Sequence, residues 1–110
     1  MMNFNKYQKF VKDYSFYPNK GNNFVYPALG IAGEGGEVCD KIKKIIRDDN
    51  GKMSKDSKRF IKKELGDVLF YITAEANELN LSLQEIIEAN IEKMVGRKKR
   101  GTLGGSGDER

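Results

Sequence analysis

Between Ile61 and Leu79 an apolar stripe runs through Ile61, Leu65, Val68, Leu69, Ile72, Ala76 and Leu79, mostly three or four positions apart. That period lines them along one face of an α-helix, not along the alternating face of a strand. It recurs elsewhere in the chain. Phe4, Tyr7, Val11 and Tyr14 predict a first helix from about Asn3 to Tyr14. Leu29, Ala32, Val38, Ile42, Ile45 and Ile46 predict a second from about Pro27 to Arg47, with proline suited to its first position. Leu83, Ile86, Ile87, Ile91, Met94 and Val95 predict a fourth. Ser54, Asp56 or Ser57 is placed to cap the third helix, and Ser82 with Glu85 makes a capping-box pattern for the fourth. The stretch 15–26, with Pro18 and Gly21, reads as a loop rich in aromatic residues. Asp48 to Lys52, with Asn50 and Gly51, reads as a turn. The expected fold is all-α, a four-helix, bundle-like subunit over residues 1–100 followed by a glycine-rich tail over 101–110.

A single domain of 110 residues built from long helices has a thin core, so association with a second copy is expected. The longest apolar runs are only a few residues, too short to cross a membrane. The first ten residues are polar and periodic, without the apolar core of a signal peptide. One cysteine, Cys39, leaves no internal disulfide and no multi-cysteine zinc site. The expected location is the cytoplasm.

The chain has no histidine. This removes Ser-His-Asp and Cys-His catalysis and histidine-bound zinc or iron. Metal chemistry must then rest on carboxylates, whose hard oxygens favour magnesium, with manganese as a substitute. Two acid pairs at i, i+3 meet that need: Glu34 with Glu37 on the second helix, and Glu64 with Asp67 on the third. Within each pair the like charges share a helix face and repel by roughly a few tenths of a kcal/mol. Glu34 lies three residues after Ile31 and four before Val38, and Glu64 and Asp67 flank Leu65 and Val68 on the apolar stripe. Acids at the edge of a core are costly unless paired or bound to a cation. Either pair alone is common on a solvated helix; two on consecutive antiparallel helices can present four carboxylates to one cleft. Gly33, Gly35 and Gly36 interrupt the second helix, and each costs roughly 0.5–1 kcal/mol against alanine. A close approach, of a neighbouring helix or of a phosphate, is expected there. No P-loop motif is present. Asn90, on the line of Leu83, Ile87 and Met94, is expected to face inward and to need partners; Lys93 follows within one turn. Tyr71 shares a face with Asp67.

At these residues the chain resembles the MazG-like nucleoside triphosphate pyrophosphohydrolases, whose motif is E-x-x-E, a spacer, then E-x-x-D. Here it reads Glu34-x-x-Glu37 and Glu64-Leu65-Gly66-Asp67, with Glu37 and Glu64 27 positions apart. The words Tyr26-Pro27-Ala28-Leu29-Gly30-Ile31-Ala32-Gly33 and Glu88-Ala89-Asn90-Ile91-Glu92-Lys93 also match, and the ending from Arg100-Gly101 to Gly107-Asp108 is similar to that of the small single-domain members. The resemblance implies an all-α enzyme that splits the α–β phosphate bond of an NTP or dNTP, giving monophosphate and pyrophosphate. It implies Glu34, Glu37, Glu64 and Asp67 as magnesium ligands, with Asn90 and Lys93 near the phosphates and Tyr71 on the substrate side. It also implies a dimer or tetramer with active sites near the subunit interface. The loop 15–26 is the variable part, so the nucleobase is left open.

Lys93 and the basic run Arg97, Lys98, Lys99 and Arg100 are candidates for stabilising charge on the leaving group. The same run, with Lys55, Lys58, Arg59, Lys62 and Lys63 and a net charge of +4, allows a competing reading as a nucleic-acid-binding module. These clusters read as solvated faces, without a helix-turn-helix pattern and with no aromatic expected to interleave in them, so nucleic acid is not the expected partner. A catalytically silent nucleotide-binding relative is a third reading, against which the intact acids argue. The tail, Arg97 to Arg110, is expected either to close over a bound triphosphate or to be a loose solubilising end.

Overall fold

Each helix begins where a side chain can take up its free N–H groups. The computed structural model describes residues 1–110 and contains four helices and no strand: α1 Phe4–Tyr14, α2 Val25–Asp49, α3 Lys55–Glu78 and α4 Leu83–Arg100. Asn3 caps α1, Ser54 caps α3 and Ser82 caps α4, each accepting the N–H three residues on. Helix α2 starts before the predicted Pro27. The side chain of Asn23 accepts the Tyr26 N–H at 3.0 Å, and this draws Val25 and Tyr26 into the helix. Pro27 becomes its third residue, still within the first turn, where a missing N–H leaves no bond unmade. The same helix runs two residues past Arg47 and ends on Asn50 and Gly51, both in the left-handed region.

Helices α2 and α3 form a long antiparallel hairpin, the most extensive packing in the chain. Its register can be read from facing residues. Gly30 lies against the Tyr71 ring, Lys41 faces Phe60, and Lys44 and Ser57 line the same groove near the turn. Helix α1 packs on α3 through Val11, which is fully buried with Ala74 beneath Tyr17. Helix α4 is tied to α1 by Gln8, whose amide donates to the Leu81 carbonyl at 2.7 Å and accepts the Leu83 N–H at 3.0 Å.

The all-α expectation holds, but the subunit is not a closed bundle. Leu29, Ile46, Leu65, Ile91 and Val95 from the predicted apolar stripes are more than half exposed. A cavity of about 590 Å³ opens between α1, α3 and α4, lined by Phe4, Tyr7, Leu69, Ile72, Ile86 and Ile87 among others. The radius of gyration is 16.8 Å, against about 13 Å for a compact chain of this length. Helical period fixes which residues share a face; it does not supply a neighbour for that face within one copy.

The loop before α2 is pinned from α3. The Glu78 carboxylate accepts the Tyr17 hydroxyl at 2.7 Å, the Gly21 N–H at 2.8 Å and the Asn23 N–H at 2.6 Å. Burial pushes this carboxyl up, but the bonds from Asn23, Tyr17 and Gly21 outweigh it and hold the group below its ordinary range. A depressed carboxyl stabilises the fold above its unfolded titration range and loses that contribution as pH falls through the folded value. Glu78→Gln is expected to cost about 2 kcal/mol at pH 7, with the gap to wild type narrowing on acidification below about pH 4.3. Thermal melts of both proteins across that range check this; a gap independent of pH would refute it.

Candidate metal centre on the helical hairpin

The register of the hairpin sets the two acid motifs opposite each other. Oxygens of Glu34, Glu64 and Asp67 come within 4.8 Å of one another, across the seam of α2 and α3. Glu34 and Glu64 are half-buried and Asp67 is exposed. Three carboxylates at this spacing and no histidine suit a hard divalent cation. The electrostatics agree: burial pushes the Glu34 carboxyl up, and the negative charges of Asp67, Glu64 and Glu37 push it further. A cation between them would relieve the repulsion and offset the burial. The fourth predicted ligand, Glu37, is exposed and its carboxylate stands outside this group of three.

Tyrosines close one end of the acid cleft. The Tyr71 hydroxyl is pushed up by burial first, then by Tyr26 and the carboxylates of Glu34 and Asp67, so it stays a proton donor beside the acids. Tyr7 of α1 is shifted the same way by burial and by Asp67. Behind Tyr71, Tyr26 stacks on Tyr17 with centroids 5.0 Å apart, and Tyr14, Phe16 and Phe70 complete an aromatic cleft. The helices approach closely here: a Cβ on Gly30 would press into the Tyr71 ring. The close approach of a neighbouring helix expected at Gly33, Gly35 and Gly36 is overturned, because nothing lies within 4 Å of where their Cβ atoms would be. Gly30 is the glycine that packing demands.

The residues expected on α4 are placed differently. Asn90, expected to face inward, is exposed; it lines the open apolar cavity and makes no hydrogen bond to another side chain or to the backbone of a neighbouring helix. Arg97, a candidate for stabilising charge on the leaving group, is only 5% exposed. The tail covers it: Asp108 lies 3.3 Å from Arg97 and 3.4 Å from Lys93, and the Asp108 and Gly107 carbonyls also accept from Arg97. Arg110 in turn donates to the carbonyls of Thr102, Leu103, Gly104 and Gly107, while Arg100 donates to the Arg110 carbonyl. The tail is thus a folded clasp on the end of α4, built around its own arginine. No hydrogen bond or ion pair joins Lys93, Arg97 or Arg100 to the acid cluster.

Some of the positive charge around the hairpin turn is paired where it stands. Lys43 and Lys44 pair with Asp40, Arg47 with Asp48, and Arg59 with Asp56. The expectation that no aromatic is interleaved with the basic clusters is corrected: Phe60, between Arg59 and Lys62 in the sequence, lies beneath Lys41, Arg59 and Lys63, with Lys41 contributed by the opposite helix.

Fold and site together define a small all-α protein of the carboxylate-site class, with acids converging from two arms of one helical hairpin. A family model described as the MazG nucleotide pyrophosphohydrolase domain matches residues 27–102, and the chain belongs to that family. It is also 37% identical over 109 residues to the Gene 37 protein of Mycobacterium phage L5, covering 94% of this chain and 96% of that protein. No solved structure matches. No helix is long and apolar enough to cross a membrane.

Proposed function

We propose that this chain hydrolyses nucleoside triphosphates, ribo or deoxy, between the α and β phosphates, with magnesium held at Glu34, Glu64 and Asp67. The convergence of those three carboxylates in a member of the pyrophosphohydrolase family carries the reading. Those three carboxylates would hold magnesium, or manganese in its place, which would supply charge neutralisation to the triphosphate. Glu37 is close enough to push the Glu34 carboxyl up, yet stands outside the ligand group, which suits it to take a proton. In the step we infer, the water oxygen bonds to the α-phosphorus and its proton passes to Glu37. The bond from that phosphorus to the bridging oxygen breaks, and its electron pair leaves on pyrophosphate. The hydroxyls of Tyr71 and Tyr7 feel the charge of the acids, and the aromatic cleft behind Tyr71 offers flat faces to a nucleobase. For Lys93, Arg97 or Arg100 to meet phosphates, their contacts to Asp108 and Arg110 would have to be exchanged for substrate.

Product analysis tests this directly. Incubation of each common NTP and dNTP with magnesium is expected to yield monophosphate and pyrophosphate, and excess EDTA to stop the reaction until magnesium or manganese is restored. Nucleoside diphosphate and orthophosphate as products, or full turnover in EDTA, would sink the proposal. We further expect a homo-oligomer, dimer or tetramer, because the open cavity and the exposed stripes of α2 and α4 lack cover within one copy. Light scattering at micromolar concentration checks this; the monomer mass of 12.5 kDa would refute it.

A further inference from the structure

The two ends of the acid cleft differ in chemistry. On the side of the loop, the rung after Glu34 and Asp67 is Gly30 with Tyr71, uncharged and aromatic. On the side of the turn, the rung after Glu37 and Glu64 is Lys41 with Phe60, and Lys63 joins it. The ammonium groups of Lys41 and Lys63 each lie 5.9 Å from the Phe60 ring centre. Lys43 and Lys44, close by in sequence, bridge Asp40 at 3.1 and 2.8 Å, but neither Lys41 nor Lys63 is in any ion pair. Arg59, the third cation at the ring, leans to Asp56. The seam therefore runs from phenols, through carboxylates, to two uncommitted cations.

We propose that Lys41 and Lys63, held over Phe60, form the subsite for the β- and γ-phosphoryl groups, which leave together as pyrophosphate. This rests on the reading of Glu34, Glu64 and Asp67 as the metal centre for α–β cleavage. One helical turn, about 5.4 Å, separates the Lys41–Phe60 rung from the last acid rung, within the reach of a lysine stem. The ring holds the ammonium groups at the seam by a cation–π attraction that is weak at an exposed aromatic, so phosphoryl oxygens can replace it. The substrate then lies along the seam in one direction, base toward Tyr26 and Tyr71, γ-phosphate toward the turn.

The test is calorimetric binding of magnesium pyrophosphate and of a deoxynucleoside monophosphate to the full chain and to Lys41→Met/Lys63→Met. Methionine keeps an unbranched stem over Phe60 and removes the charge. Pyrophosphate affinity is expected to fall at least tenfold in the double variant and about threefold in each single one, with monophosphate affinity within twofold of wild type. Pyrophosphate affinity unchanged within twofold, equal loss for both ligands, or no pyrophosphate binding by the wild type would each overturn the subsite. So would a tenfold loss in Lys93→Met with none in the double variant, which would put the phosphates on α4. Should the single variants alone fold, their pyrophosphate affinities decide. Product analysis of the wild type separates the two readings: monophosphate and pyrophosphate with an unaffected double variant removes only the subsite, whereas orthophosphate release removes the reaction assignment as well.

Discussion

Asp67→Asn is expected to lower kcat/KM by about 10²–10³-fold or more and, in the same protein, to abolish tight manganese binding. Glu37→Gln is expected to lose turnover to a similar degree while still binding the ion. The difference follows from position. Asp67 supplies an oxygen to the group of three, and Glu37 stands outside it. Neither change should destabilise the metal-free fold, because each removes a negative charge from a repelling cluster around the half-buried Glu34. Manganese titration of the two variants beside steady-state kinetics checks this. Near-normal turnover of Asp67→Asn at saturating magnesium would remove Asp67 from the ligand set, and loss of manganese binding in Glu37→Gln would make it a fourth ligand.

The second large effect is one of sign. In an ordinary exposed helix, Gly→Ala is worth about 0.8–1.0 kcal/mol of stabilisation. At Gly30 the added methyl would press on the Tyr71 ring, and overpacking of that kind costs about 1–3 kcal/mol. The steric term is the larger, so Gly30→Ala is expected to lower the melting temperature of the wild type. In a Tyr71→Ala background the ring is gone and only the propensity gain is left, so the same substitution should raise it. A double-mutant cycle by thermal melts measures the coupling. A rise in both backgrounds would show that Tyr71 swings away freely and that its place beside the acids is not fixed by Gly30.

What the sequence made legible follows from helical period. The apolar stripes, the caps at Ser54 and Ser82 and the pairing of Glu34 with the Glu64–Asp67 motif depend on neighbours within a turn or on two helices joined by a short turn. What it hid depends on partners far along the chain. The need for glycine at position 30 comes from Tyr71, and Gly33, Gly35 and Gly36 drew notice only because they stand together. The nearness of Lys41 to Phe60 emerges only when the opposite helix brings the ring to it. Arg97 reads as one of a solvated basic run until the tail folds over it. The early start of α2 lies in the side chain of Asn23, a residue whose preference for turns concealed its use as a cap.

The hairpin register has a consequence for how such a chain can vary. The cleft depends on the rotational phase of two arms and on nothing beyond the Lys41–Phe60 rung. Residues added to both arms in equal numbers, out toward the Asn50–Gly51 turn, would lengthen the lever and leave the carboxylates where they are. A single residue inserted between Glu34 and Glu37, or between Glu64 and Asp67, would turn one acid of that pair by about 100° around its helix and part the set. The distance between the two motifs along the chain is therefore free to drift, while the spacing inside each is locked.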